Sequence, residues 1–139
     1  PKRTTTGVNA NRVHQIIAVI EKHLELKLSD FDCYIATAGG FEIHDPSSDL
    51  GIAISILSSL KNISPLKNSA FIGEIGLSGQ VRKTFNLKSK IDEAIRLGFK
   101  NIFIPKTDED LSNISKEHIN IIEISNINEA AHASFINHR

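Results

Sequence analysis

Strands and helices alternate along the second half of this 139-residue chain, which predicts an α/β class, or α+β if the early hairpins dominate. Two further observations support mixed sheets packed with helices. Apolar residues between Ala10 and Leu24 recur at helical spacing, and Ser48–Leu60 is apolar nearly all round, the mark of a helix buried on most sides. The length suits one domain, residues 1–139, with a substantial core.

The elements follow in order. Pro1–Thr6 is Thr-rich and reads as an edge strand. Asn9 is the N-cap of a helix from Ala10 to Leu24, with Val13, Ile16, Ile17, Ile20 and Leu24 on one face. Phe31–Ala38 is a strand ending at Gly39-Gly40, with a short partner strand at Phe41–His44. After the Ser48–Leu60 helix, A-F-I-G-E-I-G and G-Q-V-R form two short strands around Leu77-Ser78. Leu87, Ile91 and Ile95 mark a helix over Leu87–Leu97, stopped by Gly98. N-I-F-I-P is a strand, Asp108–Leu111 a helical turn, and I-N-I-I-E-I another strand. Asn126–Phe135 is the last helix, and the tail S-F-I-N-H-R is expected to fray.

Composition narrows the function classes. Hydrophobic residues at 40% and charged residues at 23% are ordinary for a soluble globular domain. A formal net charge of zero gives no global field toward nucleic acid or membrane, so any such binding needs a local patch. Cys33 is the single cysteine; it falls in an apolar run and is expected to pack rather than react. One cysteine fits a reducing compartment, and no apolar run approaches the ~20 residues of a membrane span. The chain has no Met and opens as if in mid-strand, so a fragment of a longer, cytoplasmic protein is expected.

The turn H-D-P-S-S-D-L-G-I-A, residues 44–53, concentrates the candidate chemistry. A helix starting there points free N–H groups at two serines and two aspartates. Ser47 and Ser48 are candidate hydroxyl nucleophiles, which a neutral lysine can activate. Helix capping by the serines, with Asp49 favouring the positive helix end, explains the same residues without catalysis. Elsewhere, Gly76–Thr84 only superficially resembles a phosphate loop. Leu77 and Arg82 stand where that motif needs glycines, so it reads as a tight turn without ATP chemistry. The six histidines show no zinc-binding spacing, and His44 beside Asp45 reads as a solvated residue. Positive charge clusters locally at Lys2, Arg3 and Arg12, and again at Arg82, Lys83, Lys88, Lys90, Arg96 and Lys100. Such clusters suit phosphate contact. With one Tyr and no Trp, interleaved aromatics for base stacking are not evident.

Three ungapped blocks carry a family resemblance: D-P-x-x-D-L-G-I-A, F-I-G-E-I-G-L-S-G-Q-V-R and K-I-D-E-A-I-R-L-G-F-K-N-I-F-I-P. With the opening P-K-R-T-T-T-G-V-N-A-N-R-V, they make nearly the whole chain resemble the C-terminal domain of the bacterial RadA (Sms) family. That domain is similar to the proteolytic domain of Lon, a Ser–Lys peptidase, which implies the Lon-protease-like fold of the ribosomal protein S5 domain 2-like type. Lon-type sequences carry D-G-P-S-A-G-I-A. Setting G-I-A at Gly51–Ala53 against it places Asp49 at the nucleophilic serine and Lys88, in F-N-L-K-S-K, at the catalytic lysine. An aspartate lacks the hydroxyl proton that the lysine removes. Ser48 is one residue off register, ~100° round a helix.

The resemblance thus implies a degenerate dyad, Asp49 and Lys88, with no catalytic residue in this fragment. An Asp49–Lys88 ion pair is the remnant this suggests, the alternative being that both side chains point to solvent. It further implies a DNA repair and recombination protein whose zinc finger and RecA-like ATPase core, with Zn, ATP and Mg, lie in parts absent here. Expected partners are single-stranded or branched DNA, other copies in a homohexameric ring, and the ATPase domain of the same chain, with no membrane. Local charge makes Lys2, Arg3, Arg12, Arg82, Lys83 and Lys90 the DNA-contact candidates. The alternatives are a residual peptidase using Ser47 or Ser48 with Lys88, and a purely structural oligomerisation scaffold.

Overall fold

A computed structural model describes residues 1–114 and 117–135. Its elements are β1 (Arg3–Thr6), α1 (Ala10–His23), β2 (Cys33–Ala36), α2 (Asp49–Lys61), β3 (Ser69–Phe71), β4 (Glu74–Ile75), β5 (Val81–Arg82), α3 (Leu87–Arg96), β6 (Asn101–Pro105), β7 (Asn120–Ile124) and α4 (Ile127–Phe135). Strands β1 and β2 pair in parallel, β3-β6-β7 form a parallel sheet in that order, and β4-β5 is an antiparallel hairpin. The class is α+β. Among the described residues no helix is long and apolar enough to cross a membrane.

Local chemistry explains the helix limits. The Asn9 side chain accepts from the Arg12 amide at 3.1 Å and starts α1, which buries Val13, Ile16, Ile17, Val19 and Ile20. Helix α2 buries Leu50, Ile52, Ala53, Ile54, Ile56 and Leu57, so its apolar character continues around the helix as the sequence indicated. It closes at Asn62, whose left-handed backbone (φ 53°) turns its amide back to the Ser58 and Ser59 carbonyls. Gly98 ends α3 in the same way, with φ 96°. The Asn126 side chain accepts from the Glu129 amide at 2.8 Å and caps α4.

The three-stranded sheet divides the core. Phe71, Phe103 and Ile122 lie in register, and with Ile124 they face the cluster built by α1, α2 and α4. Ile102 and Ile104 point the other way, onto Leu87, Ile91 and Ala94 of α3. This period-two alternation is what a sheet covered on both faces requires. The Phe71 and Phe103 rings stack with centroids 4.8 Å apart and planes 16° apart.

Four sequence expectations are corrected. Phe41–His44 is not a strand partner of Phe31–Ala38. A short 3-10 turn over Ala38–Gly40, with Gly39 and Gly40 at φ 68° and 73°, carries the chain onward. Ile43 then donates its amide to Gly7 and bridges Val8 instead. The first strand itself contracts to Cys33–Ala36. A-F-I-G-E-I-G is not one strand: it breaks at Ile72-Gly73, so β3 and β4 join different sheets. Asp108–Leu111 forms no helical turn. Thr107 Oγ1 takes the Glu109 amide and Asp110 Oδ1 takes the Ser112 amide, local bonds that compete with a helix. The frayed tail expected beyond Phe135 lies outside the described residues.

Phe103 is fully buried at the centre of this arrangement. Phe103→Ala is expected to cost about 3–5 kcal/mol in chemical denaturation. A loss below about 1 kcal/mol would mean that the sheet does not organise the core.

Candidate functional site

The turn at residues 44–53 is closed on itself. Asp45 accepts the Ser47 amide on Oδ1 at 2.9 Å, and its carbonyl accepts the Ser48 amide at 3.1 Å. The Asp49 amide bonds to the Pro46 carbonyl. The Leu50 amide is taken from another segment, by the Gly73 carbonyl at 3.0 Å, while the Gly73 amide donates to the Ser47 carbonyl at 2.8 Å. Four successive amides at the start of α2 thus have partners within the protein. A helix start binds an anion through free amides, and these are occupied.

The hydroxyls are turned the same way. Ser48 Oγ donates to the Asp45 carbonyl at 2.8 Å, and no serine side chain caps α2. Capping by the serines is therefore corrected: Asp45 is the side chain that accepts a turn amide. Ser47 is buried. His44 is exposed and lies 3.2 Å from Glu42, not in a general-base geometry with either serine.

Asp49 is the buried charge of the site, 4% exposed. Its Oδ2 accepts the Ile75 amide at 3.1 Å, and its Oδ1 lies 3.3 Å from Arg12 Nη1. Oδ1 has no aligned hydrogen bond, so Arg12 acts on it chiefly by charge. Burial pushes the Asp49 carboxyl above the ordinary aspartate range; the Ile75 amide and Arg12 oppose that, while Glu74 and Asp45 add to it. Asp45 goes the other way. Its bond from the Ser47 amide outweighs desolvation, and Lys90 at 3.3 Å helps to hold it low.

The expected Asp49–Lys88 pair is not formed. Arg12 occupies the carboxylate, and Lys88 makes no ion pair among the described residues. Sequence reasoning placed Arg12 among DNA contacts and missed this role. One signal was available. Arg12 lies in the first turn of α1, where the helix dipole disfavours a cation, so a compensating carboxylate was to be sought.

The other candidates are dispersed. The Arg3 guanidinium donates to the Phe31 and Leu28 carbonyls. Lys83 lies 3.6 Å from the fully exposed Asp108. Lys90 joins Asp45 and the Phe85 carbonyl, so Arg12 and Lys90 flank one turn. Lys2 and Arg82 are exposed. A groove of about 670 Å³ opens between β2 and α2; Ser48, Cys33 and Tyr34 line it, and neither Asp49 nor Lys88 does. Cys33 also packs against the core, as expected. Among the described residues no cluster of His, Cys, Asp and Glu is arranged to hold a metal ion.

Two outcomes follow. Arg12→Ala strands a buried carboxylate and is expected to destabilise by up to about 3 kcal/mol, somewhat under the usual ~3–5 because the guanidinium is partly exposed, whereas Lys88→Ala costs less than about 1. Equal effects in thermal or chemical melts would reject the Arg12 assignment. The two aspartates also titrate with opposite sign. Asp49 has a raised folded pKa, so its contribution declines as pH rises from the unfolded value through the folded one. Asp45 has a lowered one, so its contribution is present above the unfolded value and lost as pH falls through the folded one. Relative to the native chain, Asp49→Asn should therefore gain stability as pH rises from 4 to 7, and Asp45→Asn should lose it. Urea melts at both pH values read the difference.

Comparison with known proteins gives the family. Residues 6–108 match the family model described as subunit ChlI of Mg-chelatase. The DNA repair protein RadA of Listeria monocytogenes is 39% identical over 129 residues, 93% of this chain and 28% of that protein. RadA of Bacillus subtilis is 39% identical over 134 residues, covering 96% and 29%, and that of Streptococcus pneumoniae 39% over 128, covering 92% and 30%. The chain spans less than a third of the length of these relatives and aligns with their C-terminal part. The chain is similar to the C-terminal part of proteins named DNA repair protein RadA, and it belongs to the family described as subunit ChlI of Mg-chelatase.

Proposed function

We propose that this chain is the non-proteolytic C-terminal domain of a DNA repair and recombination ATPase, supporting hexameric ring assembly and DNA binding during branch migration. The observation that carries the non-proteolytic part is at Asp49. The residue at the nucleophile position is a buried carboxylate tied to Arg12 and the Ile75 amide, and the adjacent Ser48 hydroxyl is spent on the Asp45 carbonyl. A Ser–Lys peptidase needs a hydroxyl within reach of a neutral lysine. Here Ser48 lines the groove and Lys88 does not.

The DNA-binding part is supported by local charge and by similarity to proteins named for DNA repair. The partners proposed are single-stranded or branched DNA, further copies of the chain, and the ATPase domain of a longer cytoplasmic protein. ATP, Mg and Zn would belong to that protein's other parts. In a ring, a modest patch repeated on each copy adds up, so a net charge of zero is no obstacle. The pure scaffold reading draws on one specific observation: Arg3, Arg12, Lys83 and Lys90 all have partners inside the fold.

Charge reversal separates these readings. Arg82→Glu with Lys83→Glu should weaken DNA binding tenfold or so and lower the salt dependence by roughly two phosphate contacts, measured by anisotropy at several salt concentrations. Unchanged affinity would leave the scaffold reading. A casein digest should show no cleavage above that of Lys88→Ala; cleavage that this substitution abolishes would restore the peptidase.

A further inference from the structure

Phe85 is 91% exposed, more than any other large hydrophobic residue described. Single exposed hydrophobics are ordinary, but the setting of this one is not. Arg82–Ile91 reads R-K-T-F-N-L-K-S-K-I, four cations and no acid. Its neighbours hold the loop firmly. Lys90 Nζ donates to the Phe85 carbonyl, and the Lys90 amide donates to the Asn86 carbonyl at 3.0 Å. Asn86 takes the left-handed conformation (φ 55°) that turns the chain into α3, where Leu87 is fully buried. The ring is therefore presented on an anchored loop, with its backbone fixed on the C-terminal side.

We propose that Phe85 stacks on an unpaired base of single-stranded DNA whose phosphates are held by Arg82, Lys83 and Lys88. This rests on the DNA-binding reading above and names the form of DNA that the site selects. The charges suit phosphate. Arg82 and Lys88 have no ion pair among the described residues, and the Lys83 contact to Asp108 is a solvent-exposed one that a phosphate readily replaces. A second protein surface suits it less well, because lysine is depleted from the buried centre of protein interfaces. A duplex keeps its base faces stacked, whereas a single strand offers them to an aromatic ring. The stacking term is apolar, so it adds affinity without adding salt dependence.

The test uses the 139-residue chain, a thymidine oligonucleotide and a duplex of equal length, with anisotropy at two salt concentrations. Phe85→Ala should weaken single-strand binding about 5- to 100-fold and leave both the duplex affinity and the salt slope nearly unchanged. Phe85→Trp should retain binding, and, because the chain has no other Trp, its emission should be quenched by the oligonucleotide. Single-strand affinity unaltered by Phe85→Ala overturns the proposal. So does loss of single-strand and duplex binding together with loss of assembly in light scattering, which assigns Phe85 to a protein interface. Arg82→Glu with Lys88→Glu distinguishes the levels. If it weakens both ligands while Phe85→Ala weakens neither, only stacking fails; if it changes neither, the DNA-binding reading itself fails.

Discussion

The segment Ile72–Ile75 lies across the start of α2, and three backbone donors or acceptors hold it there. Gly73 gives its amide to Ser47 and takes the amide of Leu50, and Ile75 gives its amide to Asp49 Oδ2. A side chain at position 73 would not fit without movement, since a Cβ there falls 2.6 Å from Val81 Cγ1. This crossing breaks what reads as one strand into β3 and β4, takes the Leu50 amide at the start of α2, and lies against the buried Asp49. The break between the two strands and the electrostatics of the turn both follow from it.

Once buried, Asp49 needs compensation, and the carboxylate draws its cation from α1 rather than from α3. Arg12 stands in the first helical turn, where its own helix gives it no favourable field. Each charge answers the other's cost. Lys90, two residues beyond Lys88, pairs instead with Asp45 on the outer side of the same turn. Two aspartates four residues apart therefore titrate in opposite directions, one governed by desolvation and one by an amide bond. Lys88 makes no ion pair with the turn and lies in an acid-free run with Arg82 and Lys83.

Much of the fold was legible because it is local. The cap at Asn9, the stop at Gly98, the period of α1, the apolar character of α2 and the start of α4 depend on nearby residues, and sequence reasoning placed them within a residue or two. What depends on distant partners was not legible. The pairing of Ile43 with Val8, the break at Gly73 and the choice of Arg12 over Lys88 are set by contacts more than twenty residues apart in the chain, which no periodicity reports. The site was half legible. Asp49 was recognised by its register against the G-I-A block, but its partner and the exposed Phe85 required the packed structure. Composition does not report that Phe85 is exposed within a basic loop.

The central claim is that Asp49 is a buried anchor compensated by Arg12. Carboxyl carbon NMR titration of Asp49 tests it most directly, in the native chain and in the Arg12→Ala and Lys88→Ala variants. The account predicts a native midpoint above the ordinary aspartate range, a further rise when Arg12 is removed, and no movement when Lys88 is removed. An ordinary or lowered midpoint, or one that answers to Lys88 rather than Arg12, would contradict it.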